Sequence, residues 1–252
     1  VIDLDHHDSM LPAAVKWIEP TTGEIAGRLL DEAALPAGAR ILDVGAGTGP
    51  LVVAAASRGL EVVGVDIAPL TTTYLTGRVA ALPLASTDLA DANALPYPDD
   101  SFDAAFSVLA AMYAGPGALT EMRRVVRPGG TVAIVHWARS YMSPYTRIIW
   151  ETSPELAVNL PALTPADFTA ALTGAGFTDV RVAPITAGYA LPAADEFLLE
   201  FSPFVITHPG YRAMSPTQRA GLDTALAARV RRIETGEEPR PPFEALVAWG
   251  RA

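Results

Sequence analysis

Ile41-Leu42-Asp43-Val44-Gly45-Ala46-Gly47-Thr48-Gly49 is an apolar, β-like run that ends on an acid and opens into three alternating glycines. Leu51 to Arg58 follows with helix-like composition. A strand, a glycine turn and a helix in this order place backbone N–H groups and a positive helix end around a ligand at the carboxyl edge of a parallel sheet. Glycine is needed there wherever φ is positive or a side chain would strike the ligand. Two familiar phosphate loops do not fit. The dinucleotide pattern needs a sixth-position glycine, and Pro50 stands there; a Walker loop needs G-K-[ST], and this stretch has no lysine. The loop suits a smaller polar or zwitterionic ligand.

Outward from the loop, short apolar runs alternate with helical segments across brief Gly- or Pro-containing turns. Strands are expected at 40–44, 61–65, 86–89, 102–108, 131–136, 178–183 and 243–249. Helices are expected from a Thr21–Glu24 capping box to Leu35, then over 51–58, 71–81 and 118–126, from Thr164, over 193–201 and from Ser215. The alternation predicts an α/β fold: a doubly wound, Rossmann-like, mostly parallel seven-stranded sheet with its last strand antiparallel. The Thr71–Thr76 run is a poor helix former, because β-branched side chains lose rotamer freedom in a helix. One domain covers 1–252, with an N-terminal arm or lid at 1–20. Segments 138–163 and 193–235 are expected to add a helical cap, rich in large apolar side chains beyond the carboxyl edge.

Composition sets limits. With 18 Lys and Arg against 28 Asp and Glu the net charge is −10, which argues against nucleic acid as partner. Arg123, Arg124 and Arg127 read as the outer face of a helix. The chain has no cysteine and therefore no disulfide or thiolate chemistry, and a cytoplasmic setting is expected. No signal peptide is expected from Val1–Asp5, and no apolar run suggests membrane insertion. His6, His7 and Asp8 adjoin, but neighbouring side chains of an extended stretch point apart, so no metal site is expected.

Two acids give the glycine loop its meaning. Asp66 ends the second strand, beside the loop, where a carboxylate accepts both hydrogen bonds of a ribose diol. Asp91-Ala92, after the third strand, suits an adenine edge. Each acid also has a plainer reading as a cap or turn former.

At this level the sequence resembles the class I S-adenosylmethionine-dependent methyltransferases, in particular the small-molecule group with the ubiquinone and menaquinone C-methyltransferases. The matching residues are Leu42–Gly49, Gly64-Val65-Asp66-Ile67, Asp91-Ala92 with Leu95-Pro96, Phe102-Asp103, and Glu121 to Gly130. The resemblance implies S-adenosylmethionine as cofactor, bound through Asp43, Gly45, Ala46, Gly47, Asp66, Ile67, Asp91, Ala92, Ser107 and Val108. Within that set Asp43 orients the methionine amino group, Asp66 holds the ribose, and Ser107 with Val108 lies near the sulfonium.

A sulfonium brings its own leaving group, so the protein must mainly align the acceptor and exclude water. His136, at the carboxyl end of the fifth strand, is the first candidate for a general base, and His208 the second. Tyr113, Tyr141 and Tyr145 are candidates to orient a polar group. The expected activity is methylation of a small, fairly apolar molecule, on oxygen in the first place and otherwise on nitrogen or carbon, by a monomer or homodimer. A cofactor-retaining cyclase and a non-catalytic binding protein on the same fold are the alternatives.

Overall fold

The computed structural model describes residues 8, 10–115, 117–138, 143–157, 164–197, 199–201 and 208–252. His6, His7, Tyr141, Met142 and the Phe204–Ile206 run lie outside them. Seven strands form one sheet: β1 (Arg40–Val44), β2 (Glu61–Asp66), β3 (Ala85–Leu89), β4 (Phe102–Val108), β5 (Val126–Trp137), β6 (Thr178–Ile185) and β7 (Ala245–Arg251). Their spatial order is β3-β2-β1-β4-β5-β7-β6. The first five pair in parallel, and β7 inserts antiparallel between β5 and β6. The expected sheet, with its antiparallel last strand, is the one observed.

The central strands are apolar on both faces because helices cover both. Ile41, Val62, Phe106, Val135 and Trp137 belong to one hydrophobic cluster. Their strand neighbours Leu42, Val63, Ala105 and Ile134 belong to the other, with Phe168. Against the first face lie α2 (Glu19–Ala33), α3 (Pro50–Ser57) and α4 (Pro69–Val79); α1 is the short Leu11–Ala13 ahead of them. The second face receives α6 (Gly117–Val125) and α8 (Pro165–Gly174), with α5 (Ala111–Ala114) between β4 and α6. A third cluster joins Tyr145, Ile148, Phe197, Phe201, Leu226 and Val230, drawn from α7 (Pro144–Thr152), the 194–201 segment and α10 (Pro216–Glu234). Trp17 and Ile18 pack against it. The five-residue α9 (Pro209–Ala213) precedes α10.

The first helix departs from expectation. Thr21 and Glu24 do not open it, because the chain is already helical from Leu11, through a π-helical turn Ala14–Ile18, into Glu19–Ala33. Pro20 comes just after the π-helical turn, where the regular i→i−4 ladder is already interrupted. The Thr21 hydroxyl instead donates to the Gly188 carbonyl (2.8 Å), and the Gly188 N–H donates to Glu24 (3.0 Å). A pair that reads as a local cap is a clamp on a distant loop. The other two caps hold: Thr164 with Asp167, and Ser215 with Gln218, form reciprocal capping boxes.

The threonine-rich helix forms as α4. Thr72, Thr73 and Thr76 each donate their hydroxyl to the carbonyl four residues back, which satisfies polar groups that would otherwise compete with the helix. Its first turn is held from outside: Asp8 accepts from the N–H groups of Leu70 (3.3 Å) and Thr71 (3.2 Å) and from the Thr71 hydroxyl (3.2 Å). A carboxylate at that end also suits the helix dipole. Among the expected outward arginines, Arg124 turns inward to Glu121, Asp99 and the carbonyls of Leu95 and Tyr97, so it braces the loop before β4. No helix among the described residues is long and apolar enough to cross a membrane.

Candidate cofactor site and acceptor cleft

The glycine turn leaves β1 at Val44 and is drawn against β2: the Gly45 and Ala46 N–H groups both donate to the Val65 carbonyl, at 2.9 and 2.8 Å. Its three glycines do different jobs. All take positive φ. A Cβ on Gly45 would lie 2.2 Å from that of Ala110, and one on Gly49 would lie 2.1 Å from Leu75. Those two are glycines because protein packs on them. A Cβ on Gly47 would meet nothing within 4 Å. Gly47 therefore opens onto free space, flanked by the acids. Pro50, which breaks the dinucleotide pattern, is the first residue of α3.

Asp66 is buried and holds the turn directly. One carboxylate oxygen accepts from Gly47 N–H (2.9 Å) and the other from Ala68 N–H (3.0 Å). Half-buried Ile67 lies between. Asp43 is 2% exposed, and among the described residues its carboxyl has no hydrogen-bond partner. Burial first, and the neighbouring Asp66 carboxylate second, push it up to about 8. A buried acid held beside a second carboxylate is a ready receptor for a cationic group.

Beyond β3, Asp91 is exposed and accepts through one oxygen from the backbone and side chain of Asn93, at 2.8 and 2.9 Å. Ala92 is half-buried beside it. Sequence reasoning missed the bracing of this loop: Asn93 also donates to the Ala114 carbonyl (2.8 Å), and Glu121 accepts from Leu95 N–H (2.8 Å). At the end of β4, Ser107 is fully buried, donating to the Val44 carbonyl (2.8 Å) and accepting from Ala111 N–H (2.9 Å). It ties the β1 end to the β4 end and spends its hydroxyl doing so. Half-buried Val108 follows, and Leu109 takes φ +60 to turn the chain.

A second tie went unread in the sequence. Arg78 of α4 donates to the Thr48 carbonyl of the glycine turn (2.9 Å) and pairs with Glu19 at the head of α2. The turn is thus held from both neighbouring helices.

The two histidines lie apart from this group. His136 is buried, its Nδ1 sits 2.8 Å from the Trp137 carbonyl, and its ring stands edge-on to Phe168 at 4.9 Å. A carbonyl only accepts, so Nδ1 carries the proton and Nε2 is the basic nitrogen. Burial holds the ring below its ordinary range, so it is neutral near pH 7. His208 caps α9, its Nδ1 accepting from Gly210 N–H (3.1 Å). That leaves Nε2 for any proton transfer at His208.

A narrow apolar cleft of about 10 Å³ lies where α2 meets the ends of β4 and β5, lined by Thr21, Leu109, Trp137, Tyr145, Tyr189 and Phe243. Trp137, not His136, faces it. The Thr21, Tyr145 and Tyr189 hydroxyls are all turned to backbone carbonyls. Exposed Tyr113 stands outside it. A larger hollow of about 400 Å³ is lined only by α7, α9, α10 and the turn at Ser153–Glu155, with no strand end contributing. Size alone does not locate the chemistry.

Residues 42–134 match a family described as a methyltransferase domain. An uncharacterised protein of Mycobacterium tuberculosis is 32% identical over 162 residues, covering 62% of this chain and 59% of its own. Malonyl-[acyl-carrier protein] O-methyltransferase of Halorhodospira halophila is 42% identical over 120 residues, 43% of this chain and 39% of its own. This chain thus spans less than two thirds of the length of these curated relatives. Among solved structures, phosphoethanolamine N-methyltransferase 2 of Haemonchus contortus, in complex with S-adenosylhomocysteine, superposes with a TM-score of 0.56 at 20% identity, covering 88% of this chain and 51% of its own. Residues 42–134, from β1 into β5, carry the family match, and the seven-stranded sheet has the same fold as that N-methyltransferase structure.

Proposed function

We propose that the chain binds S-adenosylmethionine over the glycine turn and transfers its methyl group to a small, fairly apolar molecule, with oxygen as the acceptor atom. The observation that carries this reading is the open space at Gly47, bordered by Asp43 and Asp66. The donor set fits: an unpartnered buried carboxyl suits the amino group, Asp66 retains lone pairs for a ribose diol, and Asp91 keeps one oxygen for the adenine side. The O-methyltransferase among the relatives favours oxygen without fixing it.

The cofactor supplies an activated methyl and a good leaving group. The chain's own residues then have to place an acceptor in line and keep water away, which in favourable cases is worth as much as ~7–11 kcal/mol. The cleft as it stands has room for about one water, so an acceptor enters by displacing the residues over it. Its aromatic walls present no charged group and its hydroxyls are spent on backbone, which suits a neutral apolar body and not an ion. The third hydrophobic cluster and the Trp17 segment act as the cap that closes it. Glu200 accepts from Trp17 Nε1 (2.9 Å) and pairs with Lys16, clasping the π-helical turn to the 194–201 segment.

His136, with its ring against Phe168 on the sheet face away from the cleft, is proposed to pack there and not to act as the base. His136→Ala is expected to lower the melting temperature, while turnover per folded molecule and the dissociation constant for S-adenosylhomocysteine stay within twofold. A tenfold loss of turnover at unchanged affinity would make His136 the base. The activity itself is tested by incubating the protein with methyl-labelled S-adenosylmethionine and a panel of apolar phenols, acids and extracts. Label in an organic-soluble product is expected. Cofactor retained without transfer would favour the cyclase alternative, and no binding the non-catalytic one.

A further inference from the structure

Asp43 is the one buried carboxyl beneath the glycine turn whose chemistry the methyl-transfer reading leaves incomplete. It stands in β1 opposite Gly64 of β2, and Asp66 lies two residues further along that neighbouring strand. Both acids are almost fully buried, at 2% and 6% exposure. Asp66 is satisfied by two N–H donors, whereas the Asp43 carboxyl is satisfied by none among the described residues.

Nothing nearby offers it a positive charge. β2 presents Asp66. β4 presents Phe106 and Ser107, whose hydroxyl is bound to Val44 and Ala111. Pro50–Ser57 of α3 contains no ionisable side chain. On α4 the groups are Tyr74 and Arg78, the latter turned to Glu19 and the Thr48 carbonyl. On α2 they are Glu19, paired to Arg78; Glu24, which accepts from Gly188; Arg28, turned to the Thr186 carbonyl; Asp31, paired to Arg58; and Glu32, paired to Arg181. An acid so placed keeps its proton until a cation arrives.

We propose that Asp43 is a proton-release residue: the cationic amino group of a ligand seated over Gly47 replaces the proton on Asp43, so that binding and ionisation are one coupled event. The Asp43 O–H bond breaks, the proton leaves to solvent, and the carboxylate is stabilised by the incoming ammonium; no bond of the ligand changes. The value of about 8 for the ligand-free acid agrees with this. The inference rests on the cofactor reading above.

Its consequence is quantitative. Linkage makes affinity rise about tenfold per pH unit below the ligand-free value and flatten above it, with ~0.9 proton released per site at pH 7. S-adenosylhomocysteine, which carries the amino group without the reactive sulfonium, is the probe. Calorimetric titration at pH 6, 7 and 8, in phosphate and in Tris, gives affinity and proton count together, since the buffers differ in ionisation enthalpy. The expected result is release near one proton at pH 7 and tenfold tighter binding at pH 7 than at pH 6. In Asp43→Asn the release falls close to zero and the pH slope disappears. In Asp66→Asn, which removes the neighbouring charge, the inflection moves to lower pH; this second variant serves if the first does not fold. Binding by the unaltered protein with no proton release and a flat pH profile overturns the inference and leaves the cofactor reading standing. Release that persists in Asp43→Asn also overturns it. No binding at any pH overturns the cofactor reading and this inference together.

Discussion

Asp43 and Asp66 are both buried carboxylic acids a strand apart, yet their surroundings differ. Asp66 accepts two backbone N–H bonds, the arrangement that stabilises a carboxylate. Asp43 has burial and a like charge against it, and so is raised to about 8. Because this folded value exceeds the ordinary ~3.9 of an unfolded aspartate, the ligand-free protein binds the Asp43 proton more tightly than the unfolded chain does. The stability this contributes is complete below about pH 4 and is lost as pH rises towards 8. Asp43→Asn has no such dependence, so it is expected to stabilise the ligand-free protein by ~3–5 kcal/mol more at pH 9 than at pH 4. Urea denaturation of both forms at the two pH values checks this, and parallel curves would put Asp43 in an ordinary polar setting. At Asp66 the expectation is reversed. Asp66→Ala removes a charged acceptor and weakens S-adenosylhomocysteine binding by ~1.5–3 kcal/mol, read by calorimetry on the folded variant. Unchanged affinity would remove Asp66 from the site.

The elements show where the sequence was legible and where it was not. The turn from β1 into α3 could be read because its signals are local: an apolar run, glycines at fixed offsets, Pro50 at the helix start. The acids ending β2 and following β3 were legible for the same reason. What escaped was tertiary. Thr21 and Glu24 have the spacing of a cap, but their partner is Gly188, far along the chain. Asp8 reads as part of a polar arm, and its role as external cap of α4 depends on how that arm returns. In β5, His136 and Trp137 point to opposite faces, and a strand buried on both sides does not announce which face carries the cleft. The resemblance places Ser107 near the sulfonium, and its hydroxyl joins the ends of β1 and β4. Ser107→Ala leaves Ala111 N–H and the Val44 carbonyl without this partner in a buried place, so it should cost ~1–3 kcal/mol of stability. Thermal denaturation with and without S-adenosylhomocysteine measures it. A loss confined to binding would return Ser107 to the ligand.

For the whole molecule, the sheet sets the site by bringing the ends of β1, β2 and β4 to one edge, with α2, α3 and α4 behind the glycine turn. The third hydrophobic cluster, with Trp17 packed on it, reaches the cleft at the β4 and β5 ends through Tyr145, and the proposed preference for a neutral acceptor rests on that apolar lining. All of this depends on Gly47 facing ligand and not protein. Gly59 supplies the control: it too has positive φ (+78, against +55 at Gly47), and a Cβ there likewise meets nothing within 4 Å. Alanine at either position carries a similar backbone cost of ~1–2 kcal/mol. The measurement is therefore S-adenosylhomocysteine affinity, by calorimetry, for Gly47→Ala and Gly59→Ala at matched stability. The account predicts comparable losses in melting temperature, with affinity at least tenfold weaker for Gly47→Ala and unchanged for Gly59→Ala. Full affinity in Gly47→Ala would contradict it, because the ligand would then lie elsewhere.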